Sequence, residues 1–352
     1  MDNALYADTY AAALLKEQQP RFRFQAKTPA ELNAWQTAFR QELETLLGIP
    51  RIRARATDDL APVCYGQVTL EDHIRETWTI QSEPGYAVPF FLLRPLEQSG
   101  PLPLVLTPHG HGKDGKDTYA GIYHDENGRA SIAEGERDVA LQAVRAGHVA
   151  IAMDQRGFTV TKFKQDIADD KNNSCQRMQM HAFLFGRTLI GERCYDISRL
   201  IDFAALRPEI DVSRIAITGN SGGGTTSLFA AAVETRIGVA VPGSYFCTFA
   251  DSIAAVPHCA CNYVPGILTL GEMYDVAGLI APRPFMAVAG REDPIFPLKG
   301  VRKAFDKLKQ VYTVAGVPER CQLSLGDGGH RYYKADVWPF MDRYLKGMSD
   351  RA

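Results

Sequence analysis

From about residue 100 onward, short apolar runs alternate with stretches of helical spacing, and this alternation restricts the fold more than any other feature. Runs at 102–107, 149–153, 214–218, 239–241, 285–289 and 321–325 are apolar along their length and predict buried strands. Between them, 130–146, 188–206, 222–233 and 301–314 carry helical periodicity, and a last helix starts near residue 335. Strands without a polar face must be covered on both sides, so the pattern predicts an α/β chain with a mostly parallel sheet between helices. Two stretches, 155–187 and 244–272, break the alternation. Both are long for connections in a compact domain and predict caps over a site.

The first hundred residues read differently. Residues 63–94 hold three β-rich runs, VCYGQVTL, HIRETWTI and YAVPFFLLRP, separated by short polar breaks, which predict an antiparallel meander. Residues 1–60 read as helical. Thr28-Pro29-Ala30-Glu31 matches a capping box with proline in the first turn, and Gly48 and Pro50 close the helix that follows. The expected organisation is a helical arm over 1–60 and a main domain over 61–352 that carries the two insertions.

Charge excludes some functions. Thirty-nine basic against 41 acidic residues leave a formal charge of −2, which gives no electrostatic footprint for nucleic acid or an anionic membrane. No run reaches the ~18 apolar residues of a membrane span. Asp2 and Asp8 come early and the apolar stretch 11–15 is short for a secretory leader, so a cytoplasmic location is expected. The seven cysteines are scattered and odd in number, which argues against a disulfide framework.

The chemistry concentrates at Gly219-Asn220-Ser221-Gly222-Gly223, which fits G-x-S-x-G between a predicted strand and a small-residue helix. Such a strand–turn–helix lifts the serine hydroxyl above the sheet in a strained turn. A serine needs a base, and the base needs an orienting acid. Two histidines follow Ser221 at positions suited to this. His330 lies in the Gly-rich loop after the last predicted strand, whereas His258 lies in the second insertion. The expected base is His330, with His258 on the substrate side. Asp293, after the strand 285–289, is the expected acid; Asp327 and Asp275 are weaker alternatives. An oxyanion hole is expected from the backbone N–H of Gly222 and of His111, with Gly112 second, in Pro108-His109-Gly110-His111-Gly112. His109, Arg156 and Tyr263 are further substrate-side candidates.

Two clusters raise a metal. His109 and His111 lack a carboxylate at matching spacing, and His258-Cys259-Ala260-Cys261 offers two thiols and an imidazole without a fourth ligand in the local sequence. Packing in the cap is the expected role of the second cluster, and neither metal nor cofactor is expected.

Together the HGHG, DQRG, GNSGG, GREDP and GGH segments make the chain resemble the α/β-hydrolase superfamily over roughly residues 63–350. CACNYVPG, DVAGLIAPRP and EDPIFP resemble segments of its acetyl xylan esterase and dienelactone-hydrolase-like branch. The resemblance implies a mostly parallel sheet of about eight strands, hydrolysis of small acyl esters often carried on sugars, and a Ser221–His330–Asp293 triad. The helical arm is not part of a minimal hydrolase. Expected substrates are short acyl esters, acetyl to butyryl, of a small polar alcohol. This rests on apolar residues in 244–272 (Tyr245, Phe246, Phe249, Tyr263 and Val264) narrowing the acyl site. Polar residues in 155–187 (Lys162, Lys164, Asn172, Asn173 and Gln176) would bind the alcohol. Other readings are a prolyl-oligopeptidase-like serine peptidase, for which 63–94 is too short to form the usual propeller, and a non-catalytic binding module, which would be expected to lose a triad member. A small-molecule ester is the expected partner, with no nucleic acid and no membrane, and self-association stays open.

Overall fold

The computed structural model describes residues 6–346. Among the described residues nine strands form one sheet: β1 (Val63–Thr69), β2 (His73–Glu83), β3 (Tyr86–Pro95), β4 (Leu102–Leu106), β5 (Val149–Met153), β6 (Ile210–Asn220), β7 (Val239–Gly243), β8 (Phe285–Gly290) and β9 (Cys321–Gly326). Their spatial order is β1-β2-β3-β5-β4-β6-β7-β8-β9. The meander β1–β3 is antiparallel and joins the rest through an antiparallel β3–β5 pair, with Phe90 opposite Met153. From β5 across to β9 every pairing is parallel. The resemblance implies about eight strands, and the sheet has one more. The outermost strand, β1, is exposed along its whole length, as an edge strand can be.

Period-two alternation assigns the strand residues to two faces. On β4, Leu104 and Leu106 face one apolar layer and Val105 the other; on β8, Phe285, Ala287 and Ala289 oppose Met286 and Val288. Helices Pro29–Leu47, Leu189–Ala204, Gly222–Val233 and Leu298–Val314 cover the first face. Helices Val139–Arg145 and Val337–Lys346 cover the second.

The helix Pro29–Leu47 is capped as its sequence predicts, with one difference. Thr28 Oγ1 accepts the Glu31 N–H at 3.2 Å, but the Glu31 carboxylate returns to the N–H of Lys27, one residue before the cap. Gly48 closes the helix at φ 79°, and Pro50 then begins a short helix, Ile49–Arg53, instead of ending helical structure. Leu32, Phe39, Leu43 and Leu47 enter the core shared with Gly222–Val233. The single helix expected over 130–146 is two, Glu126–Gly135 and Val139–Arg145, because Glu136 adopts a left-handed conformation at φ 50°.

The insertions are also more structured than loops. Residues 155–187 contain helices Lys164–Ala168 and Cys175–Leu184, and 244–272 contain Ile267–Leu270 and a turn of 3-10 helix at Ala260–Asn262. Tyr245, Phe246, Phe249 and Val264 are buried in the main core, with Phe246 edge-on to Phe285 of β8 at 5.2 Å. They therefore do not form the apolar cap expected of them. Among the described residues no helix is long and apolar enough to cross a membrane.

Candidate active site

β6 ends at Asn220, and the chain turns through Ser221 into the helix Gly222–Val233. Ser221 sits at φ 57°, ψ −117°, a conformation that L-residues adopt only under strain. Neighbours hold it there. The Ser221 N–H donates to Gly243 O at the end of β7 (2.8 Å), and the Asn220 N–H donates to Tyr119 Oη (2.9 Å). The turn is tight: a Cβ on Gly219 or on Gly223 would collide with the carbonyl oxygen of Pro108. The sequence thus shows small residues here because three backbone segments meet.

His330 follows β9 in a loop pinned to the end of β8. The Glu292 N–H donates to Gly328 O at 2.8 Å, and Tyr333 Oη donates to Gly329 O at 2.7 Å. His330 Nδ1 lies 2.7 Å from Asp293 Oδ2. Asp293 is 4% exposed, and its Oδ1 accepts the N–H groups of Ile295 (3.0 Å) and Phe296 (3.1 Å). One carboxylate oxygen is therefore fixed by backbone and the other is turned to the imidazole. Phe296 stacks on the His330 ring, with centroids 5.7 Å apart. With Nδ1 engaged, Nε2 is the ring nitrogen left for chemistry.

Ser221 and His330 line one cavity of about 200 Å³, together with His109–Gly112 of the loop after β4, Tyr119, Arg137 and Asn220. Its position outside the carboxyl ends of the strands is where ligands bind in open α/β sheets. A larger depression, about 620 Å³, lies at the amino ends of β7–β9 around Pro282 and Pro284, at the opposite end of the strands from Ser221. Neither insertion contributes to the wall of the Ser221 cavity.

The segments expected to form the oxyanion hole lie against each other. Gly222 is the first residue of its helix, so its N–H has no partner within the helix and lies at the positive end of the helix dipole. The His111 ring comes so close that a Cβ on Gly222 would lie 2.7 Å from its Nδ1. Gly222→Ala is therefore expected to push the 108–112 loop away and lower kcat by about 10²-fold, since a displacement of about 1 Å can cost that much. Steady-state kinetics with a small ester, alongside a melting curve, checks this; unchanged kcat would mean the loop is not used.

Of the four expected substrate-side residues, His109 lines the cavity and Arg156, His258 and Tyr263 do not. His109 touches the cavity, but both of its ring nitrogens are used: Nδ1 donates to Gly110 O (2.7 Å) and Nε2 accepts the Gln155 N–H (3.1 Å). Burial lowers its pKa to about 4, so it is a neutral brace between two loops. Arg156 is absent from the cavity wall and 3% exposed. It makes a two-pronged bond to Asp196 (2.8 and 2.7 Å), reaches Glu83 (2.9 Å) and lies over the Tyr86 ring at 3.9 Å. Arg156→Met is expected to cost roughly 3–5 kcal/mol of stability, because the fully buried Asp196 would lose its cation, whereas Glu83 keeps Arg187. Chemical denaturation measures this, and a loss below about 1 kcal/mol would contradict it. His258 hydrogen-bonds Ser252 Oγ at 3.1 Å and packs at a tilt on Phe296, behind His330. Tyr263 is 41% exposed, away from the cavity.

Sequence reasoning missed Tyr119 and Arg137. Tyr119 ends the short helix Lys116–Tyr119 and Arg137 lies between two helices, both distant in sequence from Ser221, with no motif to mark them. It also mistook the company of Cys259 and Cys261. His258 does not join them; His111 and Cys175 do, and the four ligand atoms lie within 4.8 Å of one another.

Comparison with known proteins agrees with this architecture. A model of the Abhydrolase family matches residues 4–349. The chain is 25% identical over 271 residues to the “putative hydrolase YtaP” of Bacillus subtilis (strain 168), covering 74% of this chain and 83% of that protein. Among solved structures, a “putative acetyl xylan esterase” from Bacteroides fragilis NCTC 9343 superposes with a TM-score of 0.76 at 19% identity, covering 92% of this chain and 82% of that one. A glucuronoyl esterase from Solibacter usitatus gives a TM-score of 0.61 at 14% identity, over 85% of this chain and 91% of that one. At these identities the two structures speak for the shared α/β-hydrolase fold.

Proposed function

The chain belongs to the Abhydrolase family, and we propose that within it the protein is a serine-dependent carboxylic-ester hydrolase acting on short acyl esters through Ser221, His330 and Asp293. The observation that carries this is the Asp293–His330 bond of 2.7 Å behind a cavity that His330 and the strained Ser221 share. A binding module has no use for a strained serine opposite an oriented imidazole. The names of the relatives, hydrolase and acetyl xylan esterase, point the same way.

Ser221 Oγ attacks the ester carbonyl carbon while His330 Nε2 takes its proton. The carbonyl electron pair moves onto oxygen, where the N–H of Gly222 and N–H groups of the His111–Gly112 segment stabilise the developing charge. Asp293 holds the imidazolium. The intermediate collapses, and His330 returns the proton to the departing alcohol. Water then attacks the acyl-enzyme by the same steps in reverse order and releases the acid. No step calls on a cofactor. None of the seven cysteines is paired in a disulfide, which suits a reducing compartment, and a cytoplasmic location is part of this proposal.

The cavity of about 200 Å³ argues for small acyl groups, since pockets for drug-sized ligands run from about 300 to 1,000 Å³. The narrowing comes from the 109–112 loop, Tyr119 and Arg137, not from the insertions. Polar wall groups such as Arg137 and Asn220 suit a hydroxylated alcohol such as a sugar. Across a series of p-nitrophenyl esters, kcat/KM is expected to peak between acetyl and butyryl and to fall at least ~10-fold by octanoyl. A peak at octanoyl or longer would contradict the small-acyl reading.

A further inference from the structure

The geometry points to a structural zinc site made by His111, Cys175, Cys259 and Cys261, and we propose that it ties the two insertions to the loop beside Ser221. The four residues come from three separate segments. His111 lies in the loop after β4, Cys175 opens the helix Cys175–Leu184 of the first insertion, and Cys259 and Cys261 flank Ala260 in the second. One nitrogen and three sulfurs gather within 4.8 Å of one another. A tetrahedral zinc ion, with bonds of about 2.3 Å to sulfur and about 2.0 Å to nitrogen, sets its ligands roughly 3.5–3.8 Å apart. The widest pair would have to close by no more than about 1 Å to reach that size. His111 Nε2 is 3.1 Å from Cys261 Sγ, so the nitrogen that faces the sulfurs is the one free to bind a metal.

The surroundings suit a charged cluster. Three thiolates and a neutral imidazole around a divalent ion leave one net negative charge. Arg193, 1% exposed, supplies the opposite charge: its Nη2 lies 3.2 Å from Cys175 Sγ and 2.7 Å from the carbonyl oxygen of Arg156. A cation donating to a ligand sulfur is the outer-layer partner that metal sites need. Phe158, Leu189 and Met178 pack around the sulfurs and keep water away. Three sulfurs and one nitrogen fill a tetrahedron, so no position remains open for substrate and the role is structural.

The site bears on the cavity through His111. With Nε2 on the metal, Nδ1 carries the hydrogen, on the side of the ring that faces Gly222. Binding would fix the ring, and with it the backbone of the 110–112 segment beside Ser221. It also gives the insertions a purpose. They do not line the cavity; they clamp one of its walls from behind.

The test uses the full chain, free of any histidine tag, expressed with zinc and purified without chelators. Metal analysis is expected to give one zinc per chain, in active and inactive preparations alike, so that metal occupancy is read independently of ester hydrolysis. Cys261→Ser and Cys175→Ser are expected to lose the metal, while Cys64→Ser, at an exposed thiol elsewhere, keeps it. Stripping the wild-type metal with a strong chelator is expected to lower Tm, and zinc is expected to restore it. Should the cysteine variants fail to fold, cobalt loaded into the stripped wild-type chain is expected to show thiolate-to-cobalt charge transfer and intense tetrahedral visible bands. Zinc below about 0.1 per chain after supplementation, cobalt without the thiolate bands, or a disulfide within the group in freshly prepared reduced protein would each overturn the site.

Discussion

Ser221→Ala is expected to lower kcat by roughly 10⁴–10⁶-fold while leaving Tm within a few degrees of the wild type. The size of the effect follows from the geometry. The hydroxyl is the group at the elbow that can form a bond to carbon, and nothing in the turn depends on it: Ser221 is held through its backbone N–H on Gly243 O. Removing Oγ relaxes no hydrogen bond that shapes the cavity, so the loss should appear in kcat and not in folding. Residual activity above about one per cent of wild type would point to a different nucleophile.

Asp293→Asn is expected to cost about 10⁴-fold in kcat, for a reason that can be followed atom by atom. Oδ1 of Asp293 accepts two backbone N–H groups, from Ile295 and Phe296. An asparagine at this position must keep its carbonyl oxygen there, so its NH₂ turns toward His330 Nδ1. That nitrogen would then have to accept, and the hydrogen moves to Nε2, where a base needs a lone pair. The side chain keeps its shape and the imidazole carries its proton on the wrong nitrogen. His330→Ala should be as inactive, whereas His258→Ala, which removes a ring bonded to Ser252 behind Phe296, should keep substantial turnover. An Asp293→Asn enzyme with more than about a tenth of wild-type kcat would mean that another acid orients the base, and the reverse ranking of the two histidines would move the base into the second insertion.

What the sequence makes legible here is what local pattern encodes. The strand runs, the elbow and the caps at Thr28 and Gly48 depend on neighbours within a few residues, and they appear where their spacing predicts. The convergence of Ser221, Asp293 and His330 is also legible, because chain order and strand ends fix where such residues emerge. The misreadings arise where tertiary contacts decide. Tyr245, Phe246 and Phe249 read as a cap because they follow a strand end, yet the sheet face beneath them has room, and burying aromatic area there is worth more than exposing it. Arg156 reads as a substrate-side residue, yet its hydrogen bonds go to Glu83 and Asp196, from segments that no local pattern connects. Cys175 lies 84 residues before Cys259, and His111 is 64 residues before Cys175, so the cluster has no spacing to recognise. The helix break at Glu136 escaped for the opposite reason: its spacing continues through a residue whose backbone does not.

Covalent labelling with a fluorophosphonate probe tests most directly whether Ser221 is an activated nucleophile. Such a probe phosphonylates a serine hydroxyl only when a nearby base removes its proton as the fluoride departs. Peptide mapping of the labelled wild-type chain is expected to find the adduct on Ser221 alone, with activity lost in proportion to labelling, and Ser221→Ala and His330→Ala are expected to take no label. An adduct on another serine, or a fully active chain that the probe does not modify, would contradict the account.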